Sequence, residues 1–144
     1  MTRVRIPGKS PSEALPSGPT GWRAARARLE GLPGGGLNIA HEAVDRHVAA
    51  GHGDQPALIW LGRDGTRLTR SYADLAAQAA RFAHVLRARG IGPGERLFLL
   101  AGRVPEIYAA TLGALKAGVV VSPLFAAFGP EPVRARMEIG GATV

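Results

Sequence analysis

Two periodicities alternate along the chain. From residue 37 onward, stretches with apolar residues every three or four positions are separated by short apolar runs bounded by glycine and proline. That is the signature of helices alternating with strands. The central instance is residues 96–128, RLFLLAGRVPEIYAATLGALKAGVVVSPLFAAF. Residues 97–101 and 119–121 are continuous apolar runs, which suit parallel strands covered on both faces. Between them, Ile107, Thr111 and Ala114 form one helical stripe, and Tyr108, Leu112 and Leu115 a second beside it. A helix apolar over that much of its girth predicts cover on more than one side. Pro105 suits a first helical position and Glu106 the positive end of the dipole. Lys116 suits the negative end, and Gly118 a left-handed cap. The stretch predicts a right-handed βαβ unit inside an α/β layer.

The flanking elements follow the same logic. Trp22, Leu29 and Leu32 would anchor a short basic helix, which Pro33-Gly34-Gly35-Gly36 interrupts. Asn38 is an N-cap for a helix to about residue 50, with Ile39, Ala43 and Ala50 on one side and Ala40, Val44 and Val48 adjacent. Residues 56–61 and 66–70 predict a β-hairpin around Gly62-Arg63-Asp64-Gly65. Ser71, with Asp74 three residues on, caps a helix whose face is Tyr72, Leu75, Ala79, Phe82 and Leu86. Gly90 stops it. Gly129-Pro130-Glu131-Pro132 opens a last helix, with Val133, Met137 and Ile139 inward and Arg134 and Arg136 elsewhere. Residues 142–144 would begin a further strand. A strand that short leaves an edge unfinished, so either a partner completes it or the chain is the front piece of something longer.

Composition narrows the function. The chain has 144 residues, enough for a real core. It lacks an apolar run near the length of a membrane span. Zero cysteines exclude disulfides, thiolate metal sites and thiol nucleophiles. With no secretory signal visible, a cytoplasmic protein is expected. Net charge is +7, but residues 1–33 hold six basic and two acidic side chains. Scattered arginines and eight aromatics make no basic, aromatic-interleaved stripe, so no nucleic-acid partner is expected. Residues 1–20 read as a disordered, proline-rich leader, and residues 21–144 as one incomplete domain.

Three patterns invite chemistry. Gly8-Lys9-Ser10 has the ending of a phosphate-binding loop, but Arg3 stands where the loop's first glycine belongs and Pro11 follows directly. His41, His47 and His52 invite a metal, yet the first two are six residues apart and off a common face, so helix-surface histidines are the better reading. The apolar loop 122–128 follows a parallel strand at its carboxyl end, where α/β folds place ligands. Leu124, Phe125 and Phe128 could equally cover the sheet edge.

Taken in order and with their spacing, four stretches resemble the amino-terminal part of AMP-forming acetate–CoA ligases, of the adenylate-forming superfamily. They are LNIAHEAVDRH at 37–47, Tyr72-Ala73-Asp74-Leu75, GIGPGERLFLLAGRVPEIYAATLGALKAGVVVSPLF at 90–125 and AFGPEPVRARM at 127–137. The resemblance implies a partial layered α/β sheet with flanking helices, the N-terminal portion of that family's large domain. It implies a two-step reaction in the complete enzyme. A carboxylate attacks the α-phosphate of ATP, with Mg²⁺, giving an acyl-adenylate and pyrophosphate. The thiol of CoA then displaces AMP. The family's phosphate loop, ribose-gripping Asp and adenylation lysine have no counterpart here. Lys9 and Lys116, the chain's two lysines, match no catalytic lysine, so no catalytic residue is carried over. By analogy Phe125, Ala127 and Phe128 lie toward the CoA side, with Ala127 small enough to admit a nucleotide. Acetate or a short-chain acid, ATP and CoA are the implied partners of the complete enzyme, and the chain alone is expected to be inactive. The alternative is a stand-alone α/β binding or interaction module without catalysis.

Overall fold

The structure, a computed structural model, describes residues 19–142. Most of the leader, the Gly8-Lys9-Ser10 triplet and the last two residues of the final expected strand lie outside them. The chain divides into two compact units after Glu30.

The first unit contributes helix α1, Pro19–Arg26. It is shorter than the expected helix: residues 27–28 already turn. Trp22, expected as an anchor, is 82% exposed.

In the second unit, the first helical stretch starts at Asn38, whose Oδ1 accepts from the backbone N–H of Ala40 at 2.9 Å and of His41 at 3.4 Å. That is the expected cap. The helical stretch that follows contains two π-type segments, His41–Asp45 and Val48–His52, and bends at Gly51 with φ 85°. Its inward face is Ala40 and Val44, not Ile39, Ala43 and Ala50, which are exposed or only partly covered. The two candidate stripes lie side by side. Burial selects the one that meets Leu75 and Ala109.

Strands β1 (Pro56–Leu61) and β2 (Arg67–Ser71) pair antiparallel, with Leu61 opposite Arg67. Gly65 closes the turn at φ 85°, and Asp64 Oδ1 accepts from Thr66 N–H at 3.0 Å. Ser71 ends β2 and caps α2 (Tyr72–Ala88) with a reciprocal pair of bonds to Asp74, both 3.1 Å. The box satisfies two donors at this helix start, and Tyr72 and Ala73 donate to Gln55 O and Gly53 O at 3.0 and 2.9 Å.

Strand β3 (Arg96–Leu100), helix α3 (Glu106–Lys116) and strand β4 (Val120–Leu124) form the βαβ unit, its strands parallel with Arg96 opposite Val120. Val120 N–H donates to Glu95 O at 2.8 Å. Gly118 takes φ 79°, as a left-handed stop requires. The buried residues of α3 are small ones: Ala109, Gly113 and Ala114. They let α3 lie so close to α2 that a Cβ on Gly113 would stand 2.6 Å from Ala79 O. Tyr108, expected on an apolar stripe, is half-exposed. The main core joins Ala83 and Leu86 of α2 to Ile91, Leu97, Ala114, Ala117 and Val119.

The strands are not covered evenly on both faces. Leu97, Leu99 and Val121 pack into the helical core, whereas Leu100 and Val120 are half-exposed. The opposite face receives helix α4, Pro130–Gly140, where a Cβ on Gly140 would collide with the Phe98 ring. Ile139, expected to face inward, is 89% exposed, and no residue of α4 is fully buried. A four-residue apolar period on a short helix does not say which stripe meets the sheet. Among the described residues, no helix is long and apolar enough to cross a membrane.

Candidate functional site

The carboxyl end of β4 runs directly into the 125–128 loop, which α4 follows. Phe128 N–H donates to Phe125 O at 3.0 Å and closes the loop as a turn. The two rings meet edge to face with centroids 5.7 Å apart, a geometry that the ring quadrupoles favour. Arg136 of α4 places its guanidinium carbon 4.1 Å from the Phe128 centroid. Its Nη1 donates to Pro132 O at 3.0 Å.

Behind this stack, between the β3–β4 face and α4, lies an open cleft of about 640 Å³. Phe98, Ser122, Phe125 and Phe128 line it, with Arg96 and Arg136 as its charged groups. No carboxylate lines it among the described residues. Arg96 Nε donates to Gly141 O at 2.7 Å, holding the end of α4 over β3. Gly141 is itself left-handed at φ 56°. Apolar walls with cationic corners are the chemistry of a pocket for an anionic ligand with a flat or aliphatic body.

The three residues singled out in the sequence fall on this one turn. Phe125 is 67% exposed and Phe128 half-buried, and both line the cleft. Ala127 is exposed on the turn and stands outside the lining. Sequence reading missed Arg136 and Arg96. The 128/136 spacing crosses from a loop into a helix, and no single period links the two positions. Arg96 reaches Gly141 across 45 positions.

The histidines do not assemble. His47 stacks on Tyr72 at 4.9 Å between centroids, and His52 Nδ1 lies 3.2 Å from Gln55 Nε2. Among the described residues no group of three His, Asp or Glu could hold a metal ion. Lys116 forms an ion pair with Asp45 at 2.7 Å. Lys116, the one lysine among the described residues, is thus engaged on the helix side and does not reach the cleft.

The family model described as AMP-binding enzyme matches residues 45–144. The chain belongs to that family. It is 36% identical over 124 residues to the acetyl-coenzyme A synthetase of Halorhodospira halophila, a match covering 85% of this chain and 19% of the relative. The acetyl-coenzyme A synthetase of Syntrophus aciditrophicus is 38% identical over 112 residues, 76% of this chain and 17% of the relative. Among solved structures, Brucella canis acyl-CoA synthetase superposes with a TM-score of 0.76 at 34% identity, over 84% of this chain and 22% of that one. The chain thus spans about a fifth of the length of the curated relatives it matches. The α/β architecture is accordingly a partial adenylate-forming fold.

Proposed function

We propose that this chain is the N-terminal part of the large domain of an acetate–CoA ligase. In complete form that enzyme makes acetyl-CoA from acetate, ATP and CoA through an acetyl-adenylate. The observation carrying this reading is the 34% identity and 0.76 TM-score to an acyl-CoA synthetase over 84% of the chain. The acetyl-coenzyme A synthetase relatives support acetate as the acid.

This segment's share of the work is binding and orientation. The 125–128 turn offers Ala127, without a long side chain, to a nucleotide-bearing ligand, beside Phe125, Phe128 and the Arg136 cation. Coenzyme A supplies the thiol when bound. The present residues would flank its approach and take no part in bond making. No step on ATP or Mg²⁺ is assigned to this segment. The segment alone activates no acetate. Two assays test the reading. Incubation of the 144-residue chain with ATP, Mg²⁺, acetate and CoA yields no AMP, and AMP above background overturns the claim of inactivity. Grafted in place of the matching segment of the Halorhodospira halophila relative, the chain retains acetate-dependent AMP formation. A well-folded but dead graft counts against the family role and favours a stand-alone binding module.

A further inference from the structure

We infer that Arg136 is a positioning residue for the 125–128 turn, fixing its shape through the face of Phe128. The relevance of that turn to a ligand rests on the reading above.

Three contacts run in series. Arg136 sits 4.1 Å over the Phe128 ring, Phe128 meets Phe125 edge to face at 5.7 Å, and Phe128 N–H closes the turn on Phe125 O at 3.0 Å. Ala126 and Ala127 form the tip between the two aromatic residues. The guanidinium is itself steadied, since Nη1 reaches Pro132 O one helical turn earlier. Carboxylates of its own helix do not compete for it, because Arg134 takes both acids of α4. Its bonds to Glu131 and Glu138 are 2.6 and 2.8 Å. The two arginines on this helix have separate tasks: Arg134 stitches α4 to itself, and Arg136 ties α4 to the turn. A cation over a ring face is attracted by the quadrupole, and arginine's planar group suits that seat better than lysine's point charge.

The test is hydrogen exchange at the Phe128 amide, followed by NMR on the full chain. Arg136→Ala speeds that exchange about two- to five-fold, the range a partly exposed cation–π contact supports. Arg136→Lys gives a smaller acceleration. Arg134→Ala, which removes the ion pairs of the same helix, leaves Phe128 unchanged. Unaltered exchange in Arg136→Ala overturns the inference, and so does equal acceleration in Arg134→Ala, which would mean simple fraying of α4. Should Arg136→Ala fail to fold, the comparison of Arg136→Lys with Arg134→Ala decides the matter by the same criteria. The exchange readout needs no ligand. A separate titration with coenzyme A reports on the coenzyme reading: a shift at the Ala127 amide supports it, and its absence overturns that reading while the exchange result stands.

Discussion

Gly113 shows how one missing Cβ sets a helix spacing. An ideal Cβ there would stand 2.6 Å from Ala79 O and 2.9 Å from Phe82 Cβ. The first neighbour is backbone of α2, which cannot swing aside. Alanine would gain up to about 1 kcal/mol in helix propensity, but pushing α2 away costs about 1–3 kcal/mol. The overlap wins, so Gly113→Ala lowers the urea midpoint of the chain. A titration effect also belongs at this scale. The Ser71 backbone N–H, and then its hydroxyl, hold the Asp74 carboxyl below its ordinary value. A depressed acid stabilises the fold above its unfolded value of about 3.9 and loses that contribution as pH falls through the folded one. Asp74→Asn therefore flattens the acid limb of the stability–pH curve below about pH 4. An unchanged limb would show that the box is not formed in solution. Both residues of the box were legible in the sequence, because capping chemistry is local. The consequence of Gly113 was not, because it depends on a residue 34 positions earlier.

At the scale of elements, the helical stretch after Asn38 is tied to the end of α3 by two polar links. Asn38 Nδ2 donates to Leu115 O at 2.8 Å, and Lys116 Nζ reaches Asp45 Oδ1 at 2.7 Å. The first satisfies a carbonyl at a helix end, and the second places a cation where the dipole is negative. Both partners of the ion pair are less than a third exposed, so solvent and salt screen it less than a fully solvated pair. A double-mutant cycle of Lys116→Ala and Asp45→Ala gives a coupling of about 0.5–1 kcal/mol, while Lys116→Ala with Arg46→Ala gives none. Lys116 was legible as a helix-end cation, but Asp45 as its partner was not, since the pair spans 71 positions. The same split runs through the other elements. The hairpin, the α2 start and the βαβ order follow from turn residues and period. The burial of Ala40 and Val44 in place of Ile39, and the exposure of Ile139, follow from which surfaces meet. Adjacent stripes of similar hydropathy do not encode that choice.

At the scale of the molecule, the described residues form two separate two-stranded sheets joined by helices. α2 belongs to both cores: Leu75 sits in the cluster with Val44 and Ala109, Ala83 and Leu86 in the cluster with Leu97 and Val119. The βαβ unit was legible because parallel strands and their crossover helix lie contiguous in the chain. The site was half legible. The apolar 125–128 turn stands out as a run of residues, while the arginines that flank it come from β3 and α4.

Pro123 has a consequence for that sheet. Because Val120 donates to Glu95, the alternation of a parallel ladder turns the backbones of Val120, Ser122 and Leu124 toward β3, and those of Val121 and Pro123 away from it. Proline's absent donor is thus spent on the outer margin and costs the β3–β4 ladder nothing. Along that margin the strand retains two acceptors, the carbonyls of Val121 and Pro123, but a single donor, the Val121 amide. An incoming strand would find a gap in the rungs at the very end where β4 enters its aromatic turn. The ribbon is therefore more receptive to lateral growth near Val121 than near Leu124, which disfavours full-length zippering of one copy onto another.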